Sequence, residues 1–250
     1  MRQILTILMI TATLVSCKQK DNKAETAEIQ EEEEVTTETN TQENDWVTLF
    51  DGSNLDQWRG YNAEGMYPEW TIEDGTMAFT PGEEGGKNII SKDTYTNFIL
   101  SLEWKISEAG NSGIFWSVHE SPEYKEAYET APEIQVLDDE KHPDAFVAEG
   151  THKAGSLYDL IKAPDGLIHP AGEWNLVELE VNHNTNLAKL KLNGKDAFNF
   201  PVHGEEWDAM VADSKFKDWK GFGKYPTGHI GLQDHSDKVW YRNIKIKRLD

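Results

Sequence analysis

The chain has 250 residues, enough for one sizeable domain, and its formal net charge is −21. Such an acidic chain repels the phosphate backbone of nucleic acids, so nucleic-acid binding is excluded as the expected function. The single cysteine, Cys17, excludes an internal disulfide bond. All nine tryptophans lie after Asp45, which places the predicted folded domain at residues 46–250.

Residues 1–16 have the pattern of a secretory signal peptide, in which a charged start precedes a short apolar core. The apolar run at residues 4–15 is too short to cross a bilayer as a permanent helix. Leu14-Val15-Ser16-Cys17 resembles a bacterial lipobox, whose cysteine receives a lipid after cleavage. The sequence predicts an exported lipoprotein anchored through Cys17, on the periplasmic or outer-membrane/cell-surface side. The alternative is an ordinary secretory signal with an incidental cysteine.

Residues 17–45 comprise this cysteine and a predicted disordered acidic linker. Residues 18–45 hold 10 acidic and 3 basic side chains and no aromatic residue. A segment of this composition cannot bury a hydrophobic core. We expect it to tether the folded domain to the lipid anchor.

From Trp46 onward, short runs with β-strand alternation follow one another, separated by Gly, Asn, Asp and Pro. The longest run places alternate apolar side chains, from Phe98 to Ile106, on one face. Further strands are predicted at residues 46–50, 69–73, 76–80, 88–91, 113–118, 133–137, 156–161, 177–181, 188–192, 228–232 and 240–246. Only residues 205–216 have helical spacing. The pattern predicts an all-β, two-sheet sandwich with one short helix.

The run Glu133-Ile-Gln-Val-Leu-Asp138 is the first candidate for catalysis. On a strand, Glu133 and Gln135 project from one face while the apolar residues between them face the other. A glutamate beside an amide can combine acid/base chemistry with substrate binding. The spacing is similar to the acidic motif of jelly-roll endoglucanases, but a retaining glycosidase needs two carboxylates facing one bond. Asp138 would face away from Glu133 unless a bulge intervenes. A solvent-facing polar strand is the structural alternative.

Gln233-Asp-His235, at the end of the predicted strand 228–232, is the second candidate. His235 can transfer protons near neutral pH, although a lone histidine in a turn is more often structural. Two further segments carry polar residues that suit a polyol ligand, although they could equally be ordinary turns and strand entries. They contribute His152, Lys153, Tyr158 and Asp159 from one segment and Asn111 from the other. No close metal-ligand spacing stands out, so a metal site is left open.

Taken in order, several segments resemble the family of 3-keto-disaccharide hydrolases, which is common among exported bacterial proteins. The resemblance covers residues 46–249. It rests on Leu49-Phe-Asp-Gly52, Leu55-Asp-Gln-Trp58, Asn111-Ser-Gly-Ile-Phe115, Glu133-Ile-Gln-Val-Leu-Asp138, Gly155-Ser-Leu-Tyr-Asp159, Gly172-Glu-Trp-Asn175, Leu192-Asn-Gly194, Gly231-Leu-Gln-Asp-His235 and Arg242-Asn-Ile-Lys-Ile246. Two positions depart from the pattern, Ser117 where many relatives have arginine and Ser236 where many have glycine.

The resemblance implies a concanavalin A-like jelly roll with a sugar site on the concave face of a sheet. It implies substrates whose glucose ring carries a ketone at C3, so a sugar 3-dehydrogenase is the expected functional partner. The ketone acidifies the C2 proton, which a base removes while the C1 substituent leaves, and water then adds. No cofactor is required by the sequence, although a divalent metal ion could polarise the ketone.

In this interpretation Glu133 and His235 form the acid/base pair, and Asp159 orients or assists them. The expected substrate-binding residues are Asn111, Gln135, His152, Lys153, Tyr158 and Gln233. Two other functions remain open from the sequence. One is a lectin-like lipoprotein that binds glycans without cleaving them, and the other is a conventional jelly-roll endoglucanase.

Overall fold

The computed structural model describes residues 45–250. The predicted signal peptide, Cys17 and most of the acidic linker lie outside these residues, so export and lipid attachment stay predictions. Within residues 45–250, no helix combines the length and the hydropathy that a membrane crossing requires.

The described residues form thirteen strands and one α-helix. The strands are β1 (Trp46–Phe50), β2 (Trp58–Gly60), β3 (Trp70–Glu73), β4 (Thr76–Phe79), β5 (Ile89–Tyr95), β6 (Phe98–Ile106), β7 (Asn111–Val118), β8 (Glu133–Leu137), β9 (Asn175–Asn182), β10 (Leu187–Leu192), β11 (Lys195–Phe200), β12 (Gly228–Leu232) and β13 (Val239–Arg248), and the helix is α1 (Gly204–Ala212). Strands 46–50, 98–106 and 133–137 have the bounds that the sequence predicts.

Two antiparallel sheets pack face to face, which confirms the predicted sandwich. The larger sheet has the order β11-β10-β9-β6-β13-β4-β3, with β1 also paired to β13. The smaller sheet has the order β2-β5-β12-β7-β8. Ile114 and Ile134 of the smaller sheet join Leu100 and Ile246 of the larger one in a single buried core. The alternation of apolar residues therefore sets which face of each strand is internal.

The prediction of a strand at residues 156–161 is wrong. This segment makes only isolated bridges, from Leu157 to Ile134 and to Ile161. Asp159 has a φ of +61°, a left-handed conformation that interrupts a regular extended strand. The segment is instead a folded loop that lies against β8, where the Tyr158 N–H donates to the Glu133 carbonyl oxygen at 3.0 Å.

The predicted helix is shorter than residues 205–216, because α1 ends at Ala212. Ser214 follows, and both its hydroxyl, at 2.8 Å, and its backbone N–H, at 3.1 Å, donate to the Val211 carbonyl oxygen at the helix end. The next residue, Lys215, donates its N–H to Asp159 Oδ2 at 2.7 Å. The chain after the helix is thus tied to the loop that covers β8.

The last two strands belong to different sheets. β12 pairs with β5 and β7, whereas β13 pairs with β6, β4 and β1. The connection is fixed by Asp234, whose carboxylate accepts the N–H groups of Lys87 at 2.9 Å and Ser236 at 2.7 Å. This crossing carries Gln233 and His235 to the edge of the cavity described next.

Candidate active site

A cavity of about 360 Å³ lies where the chain covers the outer face of the five-stranded sheet. One part of its wall is polar and the other is aromatic. The residues that line it are Asn111, Tyr128, Ala131, Glu133, Tyr158, Lys215, Phe216, Trp219, Gln233 and His235. Five of the residues predicted from the sequence are therefore brought together: Asn111, Glu133, Tyr158, Gln233 and His235.

Glu133 is the buried acid of this cavity. It is the first residue of β8 and its side chain points away from the core, yet the residue is only 7 % exposed. Burial raises the pKa of Glu133 to about 8, the Asp144 carboxylate adds to the rise, and the Lys215 ammonium opposes it. A carboxyl group with a pKa in this range can exchange protons near neutral pH.

Gly113 makes the position of this carboxyl group possible. On the neighbouring strand β7, a Cβ atom at residue 113 would overlap Glu133 Oε1 and would lie only 2.6 Å from its carboxyl carbon. Only glycine lets the two strands present the glutamate in this place. The glycine in Asn111-Ser-Gly113 is thus explained by the close approach of the Glu133 side chain to the backbone of β7, and no unusual turn is required.

We expect Gly113→Ala to lower kcat at least 10-fold, because the added methyl group must displace the Glu133 carboxyl group. The measurement is steady-state turnover together with a thermal unfolding curve. Gly65→Ala is the matched control, since a Cβ atom at Gly65 meets no heavy atom within 4 Å. Equal activity of the two variants would show that the carboxyl position is unimportant.

Two buried amides face the same cavity. Asn111 is 3 % exposed and Gln233 is 7 % exposed, yet Asn111 Oδ1 and Gln233 Oε1 have no hydrogen-bond donor among the described residues. An unpaired buried carbonyl oxygen costs about 1–3 kcal/mol. Both oxygens have almost no exposed surface, so a ligand with hydroxyl groups would satisfy them only after the amide side chains rotate toward the cavity.

Lys215 was not predicted from the sequence, where it lies within the helix-like run. Its Nζ lies 4.0 Å from the centroid of the Tyr158 ring. Desolvation lowers the pKa of the Lys215 ammonium, and nearby carboxylates partly oppose this shift. The cavity therefore contains a buried acid and a partly desolvated cation.

Asp159 and His152 lie behind the cavity rather than on its wall. His152 Nε2 is 2.7 Å from Asp159 Oδ1, and its Nδ1 is 3.1 Å from Asp144 Oδ1. Asp144 Oδ2 accepts the Tyr158 hydroxyl at 3.1 Å, and Asp159 Oδ2 accepts the Lys215 N–H. This network connects Asp159 to Lys215 directly and to Tyr158 through His152 and Asp144.

Three other residues from the sequence analysis lie elsewhere. Gln135 is fully covered, and its backbone pairs with the loop at residues 155–156. Lys153 lines a separate pocket beside Asp139. Asp138 accepts the Ala109 N–H at 2.7 Å and does not line the cavity with Glu133. The cavity is therefore not built around the paired acids of a retaining glycosidase.

An aromatic ridge separates the cavity from a neighbouring groove of about 470 Å³. Tyr128 and Trp219 line both spaces, and their ring centroids are 5.8 Å apart. Aromatic faces of this kind bind the apolar C–H faces of sugar rings. The two spaces together can accommodate a ligand larger than one ring.

Three potential metal ligands lie at the mouth of the cavity. His142, His235 and Asp237 each offer one donor atom, and these atoms all lie within 4.8 Å of one another. His235 also lines the cavity. The sequence analysis did not find this group because His142 is distant along the chain and belongs to the connection after β8.

Residues 45–247 match the family described as the 3-keto-alpha-glucoside-1,2-lyase-like domain. A protein from Bacteroides thetaiotaomicron named 3-keto-disaccharide hydrolase is 35% identical over 231 residues, which cover 82% of this chain and 79% of that protein. Two crystal structures from Parabacteroides distasonis, both with provisional glycosyl hydrolase names, are also similar. For the first, the TM-score is 0.74 at 30% sequence identity, and the match covers 82% of this chain and 94% of the crystallised chain. For the second, the TM-score is 0.63 at 27% identity, and the match covers 82% of this chain and 100% of the crystallised chain.

The β-sandwich, its polar and aromatic cavity and these relationships define a carbohydrate-active enzyme. Because the family match spans residues 45–247, most of the chain takes part in it. The chain belongs to the 3-keto-alpha-glucoside-1,2-lyase-like domain family.

Proposed function

We propose that this protein cleaves 3-keto-glucosides by eliminating the substituent at C1, followed by hydration to the 3-keto sugar. The observation that carries the proposal is the single buried carboxyl group of Glu133, whose pKa is raised to about 8, in a cavity lined by unpaired amides. Removal of a proton next to a ketone requires one base, whereas ordinary retaining hydrolysis requires two opposed carboxylates.

In the first step Glu133 removes the proton from C2. The electron pair of the C2–H bond forms the C1–C2 double bond, and the C1–O bond breaks. The C3 ketone supports this step because it delocalises the negative charge as an enolate. Water then adds a hydroxyl group at C1 and a proton at C2, so the net reaction is hydrolysis.

The oxygen atom that leaves from C1 needs a proton, and we assign Lys215 as the proton donor. This residue lines the cavity with Glu133, and desolvation lowers the pKa of its ammonium group. Asp159 positions it by accepting its backbone N–H. His235, which the sequence analysis pairs with Glu133, lines the mouth of the same cavity. Its acid/base role stays a prediction.

The two amides would bind the oxidised ring. Asn111 and Gln233 line the cavity, and a side-chain amide can both donate to and accept from the hydroxyl groups of a sugar. The leaving group would then lie across the Tyr128–Trp219 ridge and extend into the second groove.

Trp219→Ala should therefore raise KM for a 3-keto-disaccharide about 10-fold, since stacking on an aromatic side chain is removed. KM for a 3-keto-glucoside with a methyl leaving group should change less than 2-fold, because that group does not reach the groove. Trp240→Ala is the control, since Trp240 packs against Lys105 on the larger sheet. Equal effects of Trp219→Ala on the two substrates would contradict the assignment of the groove.

Incubation of the purified protein with matched oxidised and unoxidised glucosides tests the function. We expect release of the leaving group only from the 3-keto compound, and exchange of the C2 proton with deuterium from solvent in the sugar product. Binding of both compounds without release would indicate the lectin-like alternative. Release from the unoxidised compound would indicate an endoglucanase.

The substrate class also implies a partner reaction. A ketone at C3 has to be formed by oxidation of a glucoside before this enzyme can act. We therefore propose that a sugar 3-dehydrogenase supplies its substrate.

A further inference from the structure

His142, His235 and Asp237 come from two separate connections and meet at one point. His142 begins the short turn Pro143–Phe146 after β8, whereas His235 and Asp237 lie in the crossing from β12 to β13. Their donor atoms lie within 4.8 Å of one another, and small side-chain movements would bring all three to one ion. Two imidazoles and one carboxylate form a ligand set that divalent transition metals favour, with coordination positions left open.

The group is joined to the wall of the cavity by a hydrogen bond. Asp237 Oδ2 accepts the backbone N–H of Asn111 at 3.1 Å, which fixes its carboxylate next to the first residue of β7. The rings of His142 and His235 are 6.2 Å apart between centroids and nearly perpendicular, at 78°. An ion held by these residues would therefore lie beside the polar wall of the cavity.

The unpaired amide oxygens are a second and independent observation. Asn111 and Gln233 line the cavity, and their side-chain oxygens, Oδ1 and Oε1, are buried without a donor among the described residues. Water or sugar hydroxyl groups bound to a divalent ion are strong hydrogen-bond donors, because the ion withdraws charge from their oxygen atoms. Rotation of the two amides toward the cavity would let such groups supply the donors that these oxygens lack.

We propose that His142, His235 and Asp237 bind a divalent transition-metal ion at the mouth of the cavity, and that its open positions take oxygen atoms of the keto sugar. The identity of the bound sugar rests on the proposed function. There the ion would polarise the ketone and stabilise the enolate that forms when Glu133 removes the C2 proton.

Metal binding should also change the turn that His142 begins. His142 Nδ1 accepts the Asp144 N–H at 3.1 Å, so a neutral His142 carries its proton on Nε2. Coordination through Nδ1 displaces this hydrogen bond directly. Coordination through Nε2 requires the proton to move to Nδ1, which can then no longer accept. The Asp144 amide is therefore a reporter of metal binding that does not depend on activity.

The experiment starts with the full protein after treatment with a chelator and dialysis. Mn²⁺, Co²⁺ or Zn²⁺ alone is added during calorimetry, and hydrogen exchange of the Asp144 amide is followed with and without the ion. We expect one ion per chain and faster exchange at Asp144 in the metal-bound protein. Absence of binding by all three ions would overturn the proposal.

Variants locate the ion. His142→Asn keeps a side chain that can cap the turn but removes the imidazole, and Asp237→Asn removes the carboxylate charge. Each should weaken metal binding at least 10-fold, while His169→Ala, an exposed histidine outside the group, should bind as the unaltered protein does. Unchanged affinity in both His142→Asn and Asp237→Asn would overturn the site.

Turnover separates this proposal from the proposed function. If only the metal proposal fails, the chelated protein still releases the leaving group from a 3-keto-glucoside at the full rate. If only the proposed function fails, the ion still binds with the expected dependence on His142 and Asp237, but no leaving group is released with or without it.

Discussion

Glu133→Gln is expected to lower kcat for 3-keto-glucosides by about 10³-fold, since glutamine cannot accept the C2 proton and positioned bases contribute about 10²–10⁴-fold. The amide has almost the same shape as the carboxyl group, so it should occupy the same space over Gly113. Substrate binding should therefore persist. Steady-state turnover and calorimetric titration with the substrate would measure the two effects separately.

The pH dependence gives the same residue a second signature. Because burial raises the pKa of Glu133 to about 8, the free enzyme should gain kcat/KM as the pH rises through that value, when the base becomes ionised. A profile that is flat between pH 6 and 9, or a Glu133→Gln variant with full turnover, would exclude Glu133 as the base. Glu83→Gln is the control, since Glu83 is exposed and does not line the cavity.

Glu133→Gln should also increase the free energy of unfolding at pH 8, by about 4–5 kcal/mol at most. The pKa of Glu133 is about 8 in the folded protein against an ordinary value of 4.5, and each pKa unit corresponds to about 1.36 kcal/mol. Between these two values the folded state holds a proton that the unfolded state has lost. Stability of the unaltered protein therefore falls as the pH rises from about 4.5 to 8, and glutamine removes this loss.

Urea unfolding at several pH values would test the stability prediction. The difference between Glu133→Gln and the unaltered protein should be close to zero near pH 4, should grow through neutral pH, and should level off above pH 8. Glu83→Gln should show no such trend, because its side chain is exposed. A difference that is independent of pH would mean that packing, rather than the proton on Glu133, causes the change.

Loss of turnover together with a gain in the free energy of unfolding in Glu133→Gln would show that Glu133 serves catalysis and lowers the stability of the fold. A carboxyl group is buried in the wall of a cavity, where its charged form is disfavoured. The same environment makes it a stronger base than an exposed glutamate. The fold supports it by the glycine at residue 113 and by the cation of Lys215.

Several features of the site could be predicted from the sequence because they depend on local pattern. Alternation in the run 133–137 placed Glu133 on the opposite face from Ile134, and Ile134 is indeed in the core. The ordered motifs pointed to a single family, which the comparisons confirm. Asn111 begins β7 and Gln233 follows β12, so both lie at the same edge of two antiparallel strands that the sequence also indicated.

Other features could not be predicted because local pattern was ambiguous. Residues 156–161 alternate like a strand, but Asp159 takes a left-handed conformation in a loop tied to β8. Lys215 has the spacing of a helical residue, but α1 ends at Ala212 and the chain turns toward the cavity. In both places tertiary hydrogen bonds outweigh the local preference.

Periodicity and motif order are properties of neighbouring residues, so the β-sandwich, the family and the candidate acid Glu133 could all be predicted from the sequence. Which residues share the cavity depends on the packing of distant segments. The crossing from β12 to β13 between two sheets brings His235 and Asp237 to His142, and the chain after α1 brings Lys215 to Glu133. These approaches join residues far apart along the chain, and no local spacing encodes them.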